Sequence, residues 1–370
     1  MPIQPGSSYR IKNKRSNLYL SVVGNSLKES ALLEQRELQP YGQDRMSQVW
    51  HVFPLDFGSY LLVNKASGLV VNIAWNSTDS SARAEQYRLQ TPGEEQPAQQ
   101  WFLRDSGDGV YEIINTKSQQ LLSVVWYSKE PSALIEQYPH TSDEHSDAQR
   151  WLLEVEDEYK VVADLTRRPD TSIGDIHRMT SYQPTPANQT KPVEIAAMAY
   201  PFVLVDDPAL DRQRQAQENP YYILRRYGFW QREYSYEHGG AADLTESKQT
   251  TVGLTTTAAA TVEDTASISV TAEAGFGLHG FGASLSATIS NELMVTTTHE
   301  EVRNHSEQET IQRTYHADKR VTEAVWYRSD RYELQRLDGS VVLYWTTRNP
   351  NMKITDAYPS DAPEPGPRQP

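Results

Sequence analysis

The sequence predicts an all-β chain: a threefold repeat over residues 1–155, an elongated antiparallel β domain over 156–354 and a Pro-rich tail over 355–370. Three observations predict it. Three N-terminal segments align with one another at a fixed interval. A Ser/Thr/Ala/Val-rich stretch from Lys248 onward is poor in helix formers and alternates apolar with polar residues at period two. The final "YPSDAPEPGPRQP" is too rich in proline to pack and reads as disordered.

The repeat comes first. "YRIKNKRSNLYLSVV", "YLLVNKASGLVVNIA" and "YEIINTKSQQLLSVV" begin at Tyr9, Tyr60 and Tyr111, which are 51 residues apart, as are Asn13, Asn64 and Asn115. Each copy closes on Gln-x-Trp, at Gln48–Trp50, Gln99–Trp101 and Gln149–Trp151. Short alternating runs between polar turns read as four strands per copy. One copy is too small to bury its own apolar face, so three must share a core.

Triple Gln-x-Trp at this interval makes residues 8–155 resemble a ricin-B-type β-trefoil lectin domain. The resemblance implies a sugar pocket in each copy: an Asp on the second strand, an aromatic platform fifteen residues later, and an Asn just before Gln-x-Trp. The matching positions are Ser21, Asn72 and Ser123 for the Asp, Arg36, Tyr87 and Tyr138 for the platform, and Ser47, Ala98 and Ala148 for the Asn. No copy keeps the full set, which argues against ordinary galactose-type binding. Copies two and three add Trp75 and Trp126, and carry Glu85-Gln86-Tyr87 and Glu136-Gln137-Tyr138. Copy one has Gly24 and Arg36 instead, so its pocket is expected to be dead. The candidate carbohydrate-binding residues are therefore Asn72, Trp75, Glu85, Tyr87, Ser123, Trp126, Glu136 and Tyr138. The alternative is that both tryptophans cover the trefoil flank and both tyrosines pack. The Gln-x-Trp residues read as core.

In the second domain, 160–220 reads as connecting loops and short strands. Beyond it lies "AEAGFGLHGFGASLS", whose Gly275–Gly280 matches G-x-G-x-x-G. A dinucleotide site needs a helix opening at the last glycine. Here period-two alternation flanks both sides. Ala266, Ile268, Val270, Ala272, Ala274, Phe276 and Leu278 are apolar at even positions, and Phe281, Ala283, Leu285, Ala287 and Ile289 at odd ones. A two-residue turn at His279-Gly280 explains the parity switch, so Leu278 faces Phe281, Ala274 faces Leu285 and Val270 faces Ile289. One face is apolar and the other Ser/Thr-rich with Glu273 and Glu292, the pattern of a membrane-barrel strand with those acids in the lumen. A single hairpin leaves backbone groups unpaired in hydrocarbon, so several chains must close a barrel.

Long Ser/Thr-rich strands around a short amphipathic hairpin make residues 220–340 resemble an aerolysin-type pore-forming module. "YPFVLVDDPAL" and "NPYYILRRYGFWQREYSY" resemble the insecticidal crystal-toxin family of the Bin binary-toxin type. That family joins a trefoil to a pore-forming domain. The resemblance implies a toxin that docks on cell-surface glycans of glycolipid or glycoprotein, forms a homo-oligomer on the target-cell membrane and inserts the hairpin within 255–298; a second toxin component is left open.

Composition agrees. The chain has 370 residues, a net charge of −14 and no cysteine, which disfavours nucleic acid as a partner and removes disulfides and thiolate chemistry. No cofactor or metal is expected: the nine histidines show no H-E-x-x-H and there is no G-x-S-x-G, so no enzyme is read here. The alternatives are a lectin without pore activity and a glycan-active hydrolase carrying a trefoil. No signal peptide or apolar span is visible, so synthesis in the cytoplasm, as a crystal or inclusion, is expected, with action outside on target membranes.

Overall fold

The computed structural model describes residues 3–360 apart from 5, 91–95, 143, 164, 166–171, 184–186, 255, 271–275, 279–291 and 296–305. Twelve strands build the N-terminal unit: β1 (Ser7–Asn13), β2 (Tyr19–Val22), β3 (Ala31–Arg36) and β4 (Val49–Pro54) in copy one, β5 (Ser59–Asn64), β6 (Val70–Ile73), β7 (Ala84–Tyr87) and β8 (Trp101–Asp105) in copy two, and β9 (Val110–Asn115), β10 (Leu121–Val124), β11 (Ile135–Tyr138) and β12 (Arg150–Glu158) in copy three. Six of them, β1, β4, β5, β8, β9 and β12, pair in a closed ring. The hairpins β2–β3, β6–β7 and β10–β11 cap it. This is a β-trefoil. It runs to Glu158, slightly past the expected boundary.

The repeat residues earn their positions by pairing polar atoms. Trp50, Trp101 and Trp151 are fully buried, and their indole N–H groups donate to the carbonyls of Leu20, Val71 and Leu122 at 3.2, 3.2 and 3.0 Å. Gln48, Gln99 and Gln149 each accept from one backbone N–H and donate to one backbone carbonyl of the preceding loop. Asn13, Asn64 and Asn115 donate to the carbonyls of Ala148, Ser47 and Ala98 and accept from the turn that follows each of them. Buried amides satisfied in this way specify the turns while the tryptophans supply the apolar area.

Two short helices, α1 (Gln43–Met46) and α2 (Lys160–Ala163), belong to the trefoil loop and its exit. The second domain holds β13 (Val193–Pro201), α3 (Arg212–Glu218), β14 (Tyr221–His238), β15 (Leu244–Gly253), α4 (Thr256–Ala266), β16 (Ile268–Val270), β17 (Phe276–Leu278), β18 (Ser306–Tyr315), β19 (Val321–Gln335) and β20 (Val341–Tyr358). Strands β13-β14-β19-β20 form one antiparallel sheet, and β15-β18 a second ladder. Val252 and Ile311 of that ladder pack on Tyr234, Val325 and Tyr327.

One apolar cluster joins the two domains. It holds Phe53, Leu61, Val63 and Val70 of the trefoil, Tyr200, Phe202, Tyr221 and Tyr222 of the second domain, and Ala259, Val262, Ala266, Ile268 and Leu293. Within it His51 is fully buried, and its Nε2 hydrogen donates to the carbonyl of Ala216 at 2.8 Å. Burial lowers its pKa to about 4. Gly68 lies so close to α3 that a Cβ there would sit 2.7 Å from the carbonyl of Arg212.

Two expectations need correction. The strand expected through Ala266 is helix α4, because "TTAAATVEDTA" places Ala259, Val262 and Ala266 on one helical stripe, all buried, and alanine has the highest helix propensity. The hairpin turn expected at His279-Gly280 lies outside the described residues; on the described side Ile268 pairs with Leu278 and Val270 with Phe276. Finally, β20 runs to Tyr358, paired with Thr322, so the segment from 355 to 358 is strand and not tail.

Candidate functional site

The three hairpin caps place the candidate sugar residues at equivalent points. Each turn after β2, β6 and β10 takes two consecutive residues through left-handed backbone: Gly24 and Asn25 (φ 61° and 53°), Trp75 and Asn76 (60° and 51°), and Trp126 and Tyr127 (55° and 52°). Glycine or asparagine fits there readily, whereas a bulky side chain is strained. Trp75 and Trp126 are nonetheless 95% and 89% exposed, so they cover nothing on the trefoil flank. Side chains held in strained backbone of this kind cluster at functional sites.

Behind each turn sits a cross-strand pair. Asn72 faces Glu85, Ser123 faces Glu136, and Ser21 faces Glu34, all buried. In pocket two Asn72 Nδ2 donates to Glu85 Oε1 at 2.9 Å. Burial raises the Glu85 pKa, partly offset by that bond. In pocket three the Glu136 carboxylate accepts from Arg83 Nη1 at 2.7 Å; burial raises its pKa and Arg83 opposes the shift. In pocket one Arg36 lies 3.5 Å from Glu34. Tyr87 and Tyr138 are half-buried beside their pockets, Tyr87 with Arg88 over its ring at 5.7 Å and Tyr138 edge-on to Tyr127 at 6.0 Å.

The glutamine that follows the buried glutamate in each copy is structural. Gln35, Gln86 and Gln137 accept from Ser16, Ser67 and Ser118 and donate to two carbonyls of a neighbouring copy. Ser47, Ala98 and Ala148 are buried; the two alanines offer no side-chain polar group to a sugar. Arg83 escaped the sequence reading. Its signal was a break in the repeat, Leu32 and Leu134 standing where copy two has Arg83.

Of the hairpin residues, Ala266 and Ile268 are buried in the cluster joining the domains, and Val270, Phe276 and Leu278 lie in the small β16–β17 ladder. Glu292 is exposed. Ala272, Glu273, Ala274, Phe281, Ala283, Leu285, Ala287 and Ile289 lie outside the described residues. Leu293 is tied down from outside: Arg226 Nη1 donates to its carbonyl at 2.9 Å and to that of Met294, while Nη2 pairs with Asp330 at 2.7 Å.

The strands bracketing this segment keep an unbroken register. Partner numbers in the β15–β18 ladder sum to 559 from Leu244↔Tyr315 to Gly253↔Ser306. Carried forward without a slip, that register closes at His279 and Gly280, where the parity of the sequence switches. The buried side chains of the ladder, Thr250, Val252, Ile311 and Tyr315, are even on β15 and odd on β18, matching the apolar parities of the two arms.

The chain thus joins a β-trefoil to a β domain whose β15–β18 ladder brackets the 254–305 segment. Residues 193–360 match the insecticidal crystal toxin, P42, family, and residues 3–87 and 97–167 match the ricin-type beta-trefoil lectin domain-like family. The chain is similar to the insecticidal crystal protein Cry35Ab1 of Bacillus thuringiensis, 23% identical over 229 residues; the match covers 55% of this chain and about half (53%) of the relative. The crystal structure of Cry35Ab1 superposes with a TM-score of 0.70 at 18% identity, covering 97% of this chain and 91% of that one, which establishes the shared fold. The Rhizoctonia solani agglutinin covers 42% of this chain and all of its own, at 18% identity and a TM-score of 0.35. Among the described residues no group of three or more His, Asp or Glu side chains is placed to hold a metal, and no helix is long and apolar enough to cross a membrane.

Proposed function

We propose that this chain is a pore-forming toxin whose trefoil docks on cell-surface glycans and whose 255–298 segment, after oligomerisation, extends β15 and β18 into one transmembrane hairpin. The observation that carries the reading is the register: the β15–β18 ladder and the sequence alternation point independently to the same turn, His279-Gly280. The stretches 254–278 and 281–305 are equally long, 25 residues each, and a spanning strand needs about 9–11. The apolar face then meets lipid. Glu273 and Glu292 face the lumen, where repeated acids favour cations. In the soluble form Ala266 and Ile268 of the same segment are buried in the domain junction, which keeps those two side chains from water.

Dye release from vesicles made of target-gut lipids tests the reading. Concentration-dependent release with cation-selective conductance is expected. Binding to those vesicles with no release at any concentration favours the lectin without pore activity and overturns the hairpin.

A further inference from the structure

We infer that the three trefoil pockets are unequal and that pocket two is the principal sugar site, taking a neutral pyranose whose C–H face stacks on Trp75 while Asn72 and Glu85 engage its hydroxyls. The inference rests on the lectin reading and adds to it the site and the class of sugar. The polar floors decide the matter. Each copy buries one glutamate there: Glu34, Glu85 and Glu136. Glu34 is met by Arg36, which also takes the platform position, and this copy has Gly24 where the others have tryptophan. Glu136 is engaged by Arg83, whose guanidinium donates at 2.7 Å. Its partner Ser123 is fully buried and, among the described residues, makes only a long contact to the carbonyl of Val124 at 3.5 Å.

Glu85 differs. Among the described residues it meets no cation, only Asn72. The residue set against it across the copy boundary is Leu32, at the position where Arg83 is set against Glu136. Asn72 is 2% exposed, and its Oδ1 has no hydrogen-bond partner among the described residues. Such a buried, unpaired acceptor costs free energy until a ligand donor reaches it. The basic chain at the rim, Arg88, lies over the Tyr87 ring and within 3.9 Å of Glu29. An acid without a cation accepts from hydroxyls and repels a sialic acid carboxylate or a sulfate, so the favoured sugar is neutral.

The test is a glycan array of neutral hexose- and N-acetylhexosamine-terminated oligosaccharides beside their sialylated forms, followed by titration with the best neutral ligand. Trp75→Gly, Trp75→Asn and Trp126→Gly suit the local backbone, since glycine holds that conformation in copy one. Trp75→Gly or Trp75→Asn is expected to weaken binding at least about tenfold, equivalent to about 1.4 kcal/mol, and Trp126→Gly less than about threefold. Adding Arg83→Leu with Ser123→Asn to the Trp75→Gly chain gives pocket three the floor of pocket two and should restore part of the affinity. Equal losses at both tryptophans, or preference for the sialylated ligands, overturns the inference and leaves the lectin reading standing. A wild-type chain that binds no glycan overturns both.

Discussion

Trp75 and Trp126 sit at φ near 60° with their rings in water. For an L-residue this conformation carries roughly 1–2 kcal/mol of steric strain, and the exposed ring returns little packing. The expected outcome of Trp75→Gly is therefore an unfolding free energy, read from urea titration, unchanged or raised by about 1 kcal/mol at most. A loss of about 3 kcal/mol, the usual cost of removing a packed aromatic, would show that the ring supports the trefoil. Both tryptophans were legible in the sequence because they recur at the repeat interval. Arg83 was not, because its meaning depends on Glu136, 53 residues away, which only the pairing of two hairpins brings within 2.7 Å. Local pattern cannot report such a partner.

At the scale of elements, residues 256–278 carry two periodicities at once. Even-numbered apolar residues fit a strand, while Ala259, Val262 and Ala266 fit a helix. The helix forms here because its stripe finds the junction between the domains to bury against. The proposed pore uses the other period. Because the chain lacks native cysteine, engineered pairs separate the two states. A Val270→Cys, Phe276→Cys pair matches the ladder of the soluble form; once oxidised it should abolish dye release, and reduction should restore it. A Val270→Cys, Ile289→Cys pair matches the extended register and should cross-link on membranes and not in solution. Full dye release from the first pair while oxidised would show that this reversal persists in the pore.

At the scale of the molecule, trefoil and second domain share one core, and His51 is a titrating group at the centre of their contact. Its pKa falls from the ordinary 6.5 to about 4 because burial disfavours the imidazolium. A group depressed in the folded state contributes stability that is complete above pH 6.5 and is lost as the pH falls through about 4. The 2.5-unit difference corresponds to about 3 kcal/mol. His51→Gln keeps a donor for the Ala216 carbonyl and removes the titration. Its urea midpoint should fall less than that of the wild type between pH 7 and pH 4. Parallel pH profiles for the two chains would show that His51 is not a source of acid lability.

The sequence by itself determined the trefoil, the all-β character of the chain and the two tryptophans at equivalent turns of the repeat. Each is written in residues whose spacing repeats, and spacing survives in one dimension. Only the tertiary structure decided that 256–266 is helical, that the domains are fused through a common core, and that, among the described residues, a cation meets the buried glutamate in pockets one and three but not in pocket two. Those outcomes depend on which surfaces meet. A helix stripe, a buried histidine and a lone carboxylate all take their energies from neighbours distant in the chain.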